Sequence, residues 1–284
     1  VNYAISFVLI QLLHFTVATK QPAMTAPALA AKLKDLDDDA DVQAFVDKVT
    51  QLVRSQVAAV LGNVLLVFPA ALALAWLIAQ ALGRPAIDAG HAMQTLDTLH
   101  LLGPSLLFAA FTGVLLFASS IFAGWVENWF VLHRLDSAIQ YNPRITGVLG
   151  RRRAARWAHF LRGNISGLAA NVSLGFMLGL TPAFAAFFGL GLEVRHVTLT
   201  TGQIGVAAAT LGMDAVHSQA FWWAVALIPF NGALNVIVSF YLAFHLALRA
   251  HNVARVDRRR IYRALRARWR HAPLSFFAPT RGSV

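Results

Sequence analysis

The chain contains no cysteine, so disulfide frameworks, thiolate metal sites and cysteine nucleophiles are excluded and no redox role rests on thiols. Acidic residues are scarce: 13 Asp and Glu stand against 24 Lys and Arg, a formal charge of +11. Charge of either sign is thin overall, at 13% of 284 residues, while 57% are hydrophobic. A soluble domain of this length does not have that balance, and the chain reads as a membrane protein. No Asp, Glu, Lys or Arg falls near the middle of a long apolar stretch, which argues against an ion-coupled transporter of the usual kind. The start, VNYAISFVLI, has no basic residue before its apolar run and so lacks the n-region of a secretory signal. It opens on Val, as the membrane part of a longer protein would, or as an alternative start codon written literally.

What is present is length of apolar run. A helical span needs about 20 residues to cross about 30 Å of hydrocarbon. Five stretches qualify or nearly do, at about 3–19, 57–82, 99–126, 164–191 and 219–248. They predict an all-α polytopic bundle of about five transmembrane helices over 1–248, with a cytoplasmic helical insert at 20–56 and a basic cytoplasmic tail at 249–284. Five basic residues fall in 20–56, seven in 127–163 and ten in the tail; the other two connectors hold only Arg84 and Arg195. The positive-inside rule makes the rich side cytoplasmic, the first residue outer-facing and the C-terminus inner. IGVAAATLGM at 204–213 is too short to cross and reads as an outer-side helix or a re-entrant segment. Pro69, Pro182 and Pro229 sit inside spans as candidate kinks. A faint tandem echo pairs Gly62-Asn63 with Gly163-Asn164, and Arg134-Leu135-Asp136 with Arg255-Val256-Asp257; chance explains it equally well.

Small residues recur at every fourth position in the fourth span, at Gly163, Gly167, Asn171, Gly175, Gly179 and Ala183. A step of four turns a helix by about 400°, so the row drifts slowly and forms one slanted groove. Hydrocarbon supplies no hydrophobic drive between helices, so close approach and interhelical hydrogen bonds must hold them. The last span has a matching row, Asn231, Asn235, Ser239, Ala243 and Ala247, and the two rows are expected to pack together, with Asn171 bonding Asn231 or Asn235. The second span has a weaker row at Ala71, Ala75, Ala79 and Gly83. Asn63 and His14 join the three asparagines at membrane depth, where interhelical glue is favoured over a polar path.

Asp88, His91, Asp97, His100, Glu193, His196, Asp214 and His217 gather on the outer side. They come from separate connectors and show no paired His spacing, so they read as polar loops; no metal site and no cofactor is expected. Glu127 between Trp125 and Trp129 reads as an interfacial collar. On the inner side, Arg151, Arg152, Arg153 and Arg156 form one basic segment and Arg258, Arg259, Arg260 and Arg263 begin another. In the second, Ile261, Leu265 and Trp269 recur every fourth residue, the pattern of a helix lying on an anionic leaflet. Lipid bilayer and anionic lipid are the favoured partners; nucleic acid phosphates would attract the same charges but are not favoured. In the insert, Leu33, Leu36, Val42, Phe45, Val46, Val49 and Val53 form a broken apolar face opposite Asp35, Asp37, Asp38, Asp39 and Asp41. That face suits docking on an upstream soluble part of the same protein; the alternative is a solvated acidic loop.

NYAISFVLIQLLHFTVATKQPAMTAPALAAKL, GWVENWFVLHRLDSAIQYNPRI and RGNISGLAANVSLGFMLGLTP together resemble a bacterial family of site-specific recombinase transmembrane proteins. The resemblance covers nearly the whole chain and implies the C-terminal membrane half of a longer inner-membrane protein, with a part in DNA recombination. The residues themselves carry no catalytic constellation. His245 and Arg249, and His251 and Arg255, are each four apart, so the His-x-x-Arg of tyrosine recombinases is absent, and neither Tyr141 nor Tyr262 has a recognisable activating set. From the residues alone a scaffold or small-solute passage role stands ahead of recombination.

Overall fold

A computed structural model describes residues 2–13, 21–35, 38–250 and 258–278, and these are helical with no strand among them. The helices are α1 (Asn2–Leu12), α2 (Gln21–Ala31), α3 (Asp39–Leu82), α4 (Ala89–Thr98), α5 (Ser105–Leu132), α6 (Leu135–Tyr141), α7 (Pro143–Leu149), α8 (Arg151–Phe187), α9 (Val197–Leu211), α10 (Met213–His217), α11 (Gln219–Ala250) and α12 (Arg258–His271). Four of them, α3, α5, α8 and α11, are long and apolar enough to cross a membrane. The first apolar stretch is helical over Asn2–Leu12; the rest of it, with His14 and Lys20, lies outside the described residues, as do Leu36, Asp37, Arg255, Val256 and Asp257.

The second half of the insert, from Asp39, and the second span are one helix. α3 runs 44 residues, about 66 Å at 1.5 Å per residue, with no break near 56. Its start is fixed by a reciprocal capping box: the Asp41 N–H donates to Asp38 Oδ1 at 2.8 Å, and the Asp38 N–H donates to Asp41 Oδ2 at 3.3 Å. Its end is a left-handed Gly83, φ +64°, which a side chain would disfavour. Pro69, Pro182 and Pro229 all lie within helices that continue past them, and Gly62-Asn63 and Gly163-Asn164 lie inside α3 and α8 rather than at their starts.

The chain divides into two compact units. The first comprises Val1–Val17 and Leu115–Glu193, hence α1, the second part of α5, and α6 to α8. Here α1 lies along α8. A Cβ on Gly175 would overlap the backbone of Ala4, one on Gly167 would meet Gln11 Nε2 at 2.5 Å, and Asn171 Nδ2 donates to Gln11 Oε1 at 2.6 Å. The expected partner of this row was the last span, with Asn171 bonding Asn231 or Asn235; the groove instead takes α1. A row of small residues specifies close approach and leaves the partner open. The row's ends behave differently: no described atom would lie within 4 Å of a Cβ on Gly163, and Ala183 is exposed.

The second unit comprises Ala18–Val114 and Val194–Val284. α9 is its centre, burying Val197, Thr200, Thr201, Ile204, Gly205, Ala207 and Ala208. Gly205 brings α9 against α3, since a Cβ there would stand 2.8 Å from Phe68 O. Ile204 and Ala207 join Leu96 and Leu99 after α4, and Phe221, Ala224 and Leu227 of α11, in one apolar core. The apolar outer face of α3 stays open, with Leu65, Leu66, Leu74 and Leu77 all exposed. At the other end, α2 packs on α11, and Leu29, Leu33 and Phe45 form a second core with Phe240, Phe244, Leu248 and Ile261.

That second core answers two expectations. The apolar face of the insert, read as a dock for an upstream part, has Leu33, Val42, Phe45 and Val46 buried within this chain. The apolar stripe of α12, read as facing a leaflet, puts Ile261 into the same core. An amphipathic pattern marks a face for burial without saying whether protein or lipid covers it.

Candidate functional site

The side chain that sequence reasoning counted only as a connector charge is Arg195. GLGLEVRH, just before α9, carries no regular structure, and in it Arg195 and His196 are buried at 6% and 1% exposure. Buried irregular backbone must find partners for its N–H and C=O groups. Asn235 supplies two of them. Its Oδ1 accepts the Val197 N–H at 3.0 Å, so α11 caps the first turn of α9; its Nδ2 donates to Arg195 O at 3.0 Å and to Ala109 O of α5 at 2.9 Å. Asn235 stands sixteen residues into α11, about 24 Å from its first residue.

Two hydroxyls complete the junction. Thr112 Oγ1 accepts the Arg195 N–H at 2.8 Å while donating to Phe108 O at 2.8 Å. The Arg195 guanidinium lies 6.0 Å from the Phe108 ring centroid, and its Nη2 donates to Thr98 O at 3.3 Å, an oxygen that also accepts from Ser105 Oγ at 2.9 Å. One turn further, Asn231 Nδ2 donates to Thr200 Oγ1 at 3.0 Å; Asn231 Oδ1 is buried with no hydrogen-bond partner among the described residues. A charged residue therefore does lie against the middle of α11. It arrives on a connector, which is why an inspection of spans missed it.

The seam residues divide between the units: Asn171 and the α8 glycines belong to the first, Asn231, Asn235, Ser239 and Ala243 to the second, where the last four are fully or nearly fully buried. Of the acidic and histidine groups expected on the outer side, Asp88 caps α4 by accepting the His91 N–H at 2.8 Å, and that bond first of all holds its carboxyl below the usual range. Among the described residues no three His, Asp or Glu come together as a metal site.

The basic segments are placed as follows. Arg151, Arg152, Arg153 and Arg156 are exposed on the first turns of α8, where Arg153 and Arg156 line a shallow groove with Trp157 and Phe160. Arg258 opens α12, with its side chain outside the described residues. Arg260 Nε and Nη2 bond Asp39 Oδ1 at 2.9 and 2.6 Å, and Arg268 pairs with Asp47. Eight residues separate the two arginines and eight the two aspartates, so α12 runs alongside α3 in the same direction. Arg259, Tyr262, Arg263, Arg266 and Arg270 face outward. Tyr141 is exposed at the end of α6, and neither it nor Tyr262 lines the groove beside Arg153 and Arg156.

The family described as "Site-specific recombinase" matches residues 1–279. The chain belongs to the site-specific recombinase family. Neither a curated protein nor a solved structure matches it. The buried polar junction is turned toward the protein's own backbone.

Proposed function

We propose that this member of the site-specific recombinase family is a membrane-embedded scaffold domain of the bacterial inner membrane, with α3, α5, α8 and α11 crossing the bilayer and Val194–Leu211 entering and leaving from the outer side. The observation that carries the scaffold reading is the use of the Asn235 amide: both its oxygen and its nitrogen are spent on backbone groups of Arg195, Val197 and Ala109. A conduit needs polar groups that face a water-filled path, whereas Asn235, Thr112 and Ser105 close irregular backbone inside an apolar core. The basic turns of α8 and α12 sit on the cytoplasmic side in this reading and meet anionic headgroups there.

A role in DNA recombination is the second reading. The family match favours it, as does the outward row of Arg259, Arg263, Arg266 and Arg270 beside Tyr262, which could track phosphates. Purified full chain decides between the readings. A scaffold gives no solute flux in liposomes and no DNA shift above physiological salt; a shift that falls steeply with salt and is abolished by Arg263→Gln with Arg266→Gln supports recombination instead. Flux that survives mutation of Asn235 would overturn the scaffold reading.

A further inference from the structure

The turn between α5 and α6 closes a cleft of about 370 Å³ against α8, lined by Phe130, Val131, Arg134, Asp136, Ser137 and Arg162. Its polar rim carries two guanidinium groups and a hydroxyl. Arg134 holds φ +47°, the one described non-glycine residue with positive φ, so its side chain is presented by a backbone geometry that L residues rarely adopt. Arg162, from α8, pairs with Asp136, whose carboxylate also accepts the Ser137 N–H at 2.9 Å. A guanidinium has five donors, and the Asp136 pair leaves Arg162 with donors to spare. The carboxylate is held ionised first by that N–H and then by Arg162.

The inner wall is different in kind. Phe130 and Val131 are apolar, and the turns of α5 around them expose Trp125 and Trp129, with the His133 ring tilted at 44° to that of Trp129 and 5.3 Å from it between centroids. Tryptophans at the end of a span mark the headgroup level of a bilayer. We propose that this cleft binds the phosphate of an anionic phospholipid, with Arg134, Arg162 and the Ser137 hydroxyl on the phosphate oxygens and the first acyl carbons along Phe130 and Val131. Planar guanidinium forks match phosphate oxygens in pairs, and the volume suits one headgroup. The lipid source rests on the membrane reading above; the phosphate chemistry does not.

The test uses the full chain in a neutral detergent, with thermal stabilisation and native mass spectrometry read against dioctanoyl phosphatidic acid, dioctanoyl phosphatidylcholine and glycerol 3-phosphate. Phosphatidic acid binds saturably and phosphatidylcholine at least about tenfold more weakly, as a charge-assisted pair of contacts implies. Arg134→Gly relieves the positive φ, so the variant folds at least as well as the parent, yet loses about tenfold in phosphatidic acid affinity. Asp136→Asn removes the competing carboxylate and tightens binding about threefold. Arg84→Gln, at an exposed arginine between α3 and α4, changes nothing. Binding of glycerol 3-phosphate as tight as that of phosphatidic acid would overturn the lipid source while keeping the phosphate site. No preference for the anionic lipid, or unchanged binding in Arg134→Gly, would overturn the site itself.

Discussion

Asn235 does with one side chain what a sheet or helix does with a ladder. It satisfies a helix-first N–H and a loop carbonyl and adds a bond to a helix carbonyl, so its replacement strands two buried backbone groups at once, the Val197 N–H and Arg195 O. Each such group costs about 1–3 kcal/mol when left unpaired, with relaxation recovering part. Asn235→Leu is therefore expected to destabilise the protein by about 3 kcal/mol in reversible SDS or thermal unfolding, whereas Asn171→Leu, which removes a single side-chain pair with Gln11, costs about 0.6 kcal/mol. Equal losses would contradict the assignment of Asn235 as the keystone. Asn171, Asn231 and Asn235 were legible because an amide in an apolar run stands out. Arg195 was not: in sequence it is one charge in a connector, and only the path of the chain into α9 buries it.

At the scale of helices, lengths were more legible than partners. The ten-residue apolar stretch was too short to cross, and its first eight residues form the second half of the 15-residue α9, the last two falling at the cap and the start of α10. The glycine row announced close packing on α8, but any smooth helix face fits such a groove, and α1 fills it. This makes two glycines of one row behave in opposite ways. Gly175→Ala forces a Cβ into the Ala4 backbone and is expected to detach α1, seen as loss of a crosslink between cysteines placed at Gln11 and Asn171. Gly163→Ala meets nothing in the described chain and should keep that crosslink and gain up to about 1 kcal/mol from helix propensity. Loss of the crosslink in both would remove α1 from the groove. For α12 the amphipathic stripe was plain, but its direction depended on Asp39 and Asp47, more than two hundred residues away in the chain.

For the whole molecule, the strong signal in the sequence was the alternation of basic-rich and basic-poor connectors, a property no local contact encodes. In the topology proposed above, both ends of α9, with α10, lie on the side of α4, and the start of α3 with α12 on the other; all these elements belong to one structural unit. The absence of cysteine makes the direct test simple, because every label reports only where it is put. Single cysteines at Asp97, Asp214, Lys48 and Arg266 are exposed to a membrane-impermeant maleimide in intact and in permeabilised cells. Asp97→Cys and Asp214→Cys should label in cells whose outer membrane alone is opened, and Lys48→Cys and Arg266→Cys only after the inner membrane is breached. Labelling of Asp97→Cys and Asp214→Cys in different compartments, or of all four together, would contradict it.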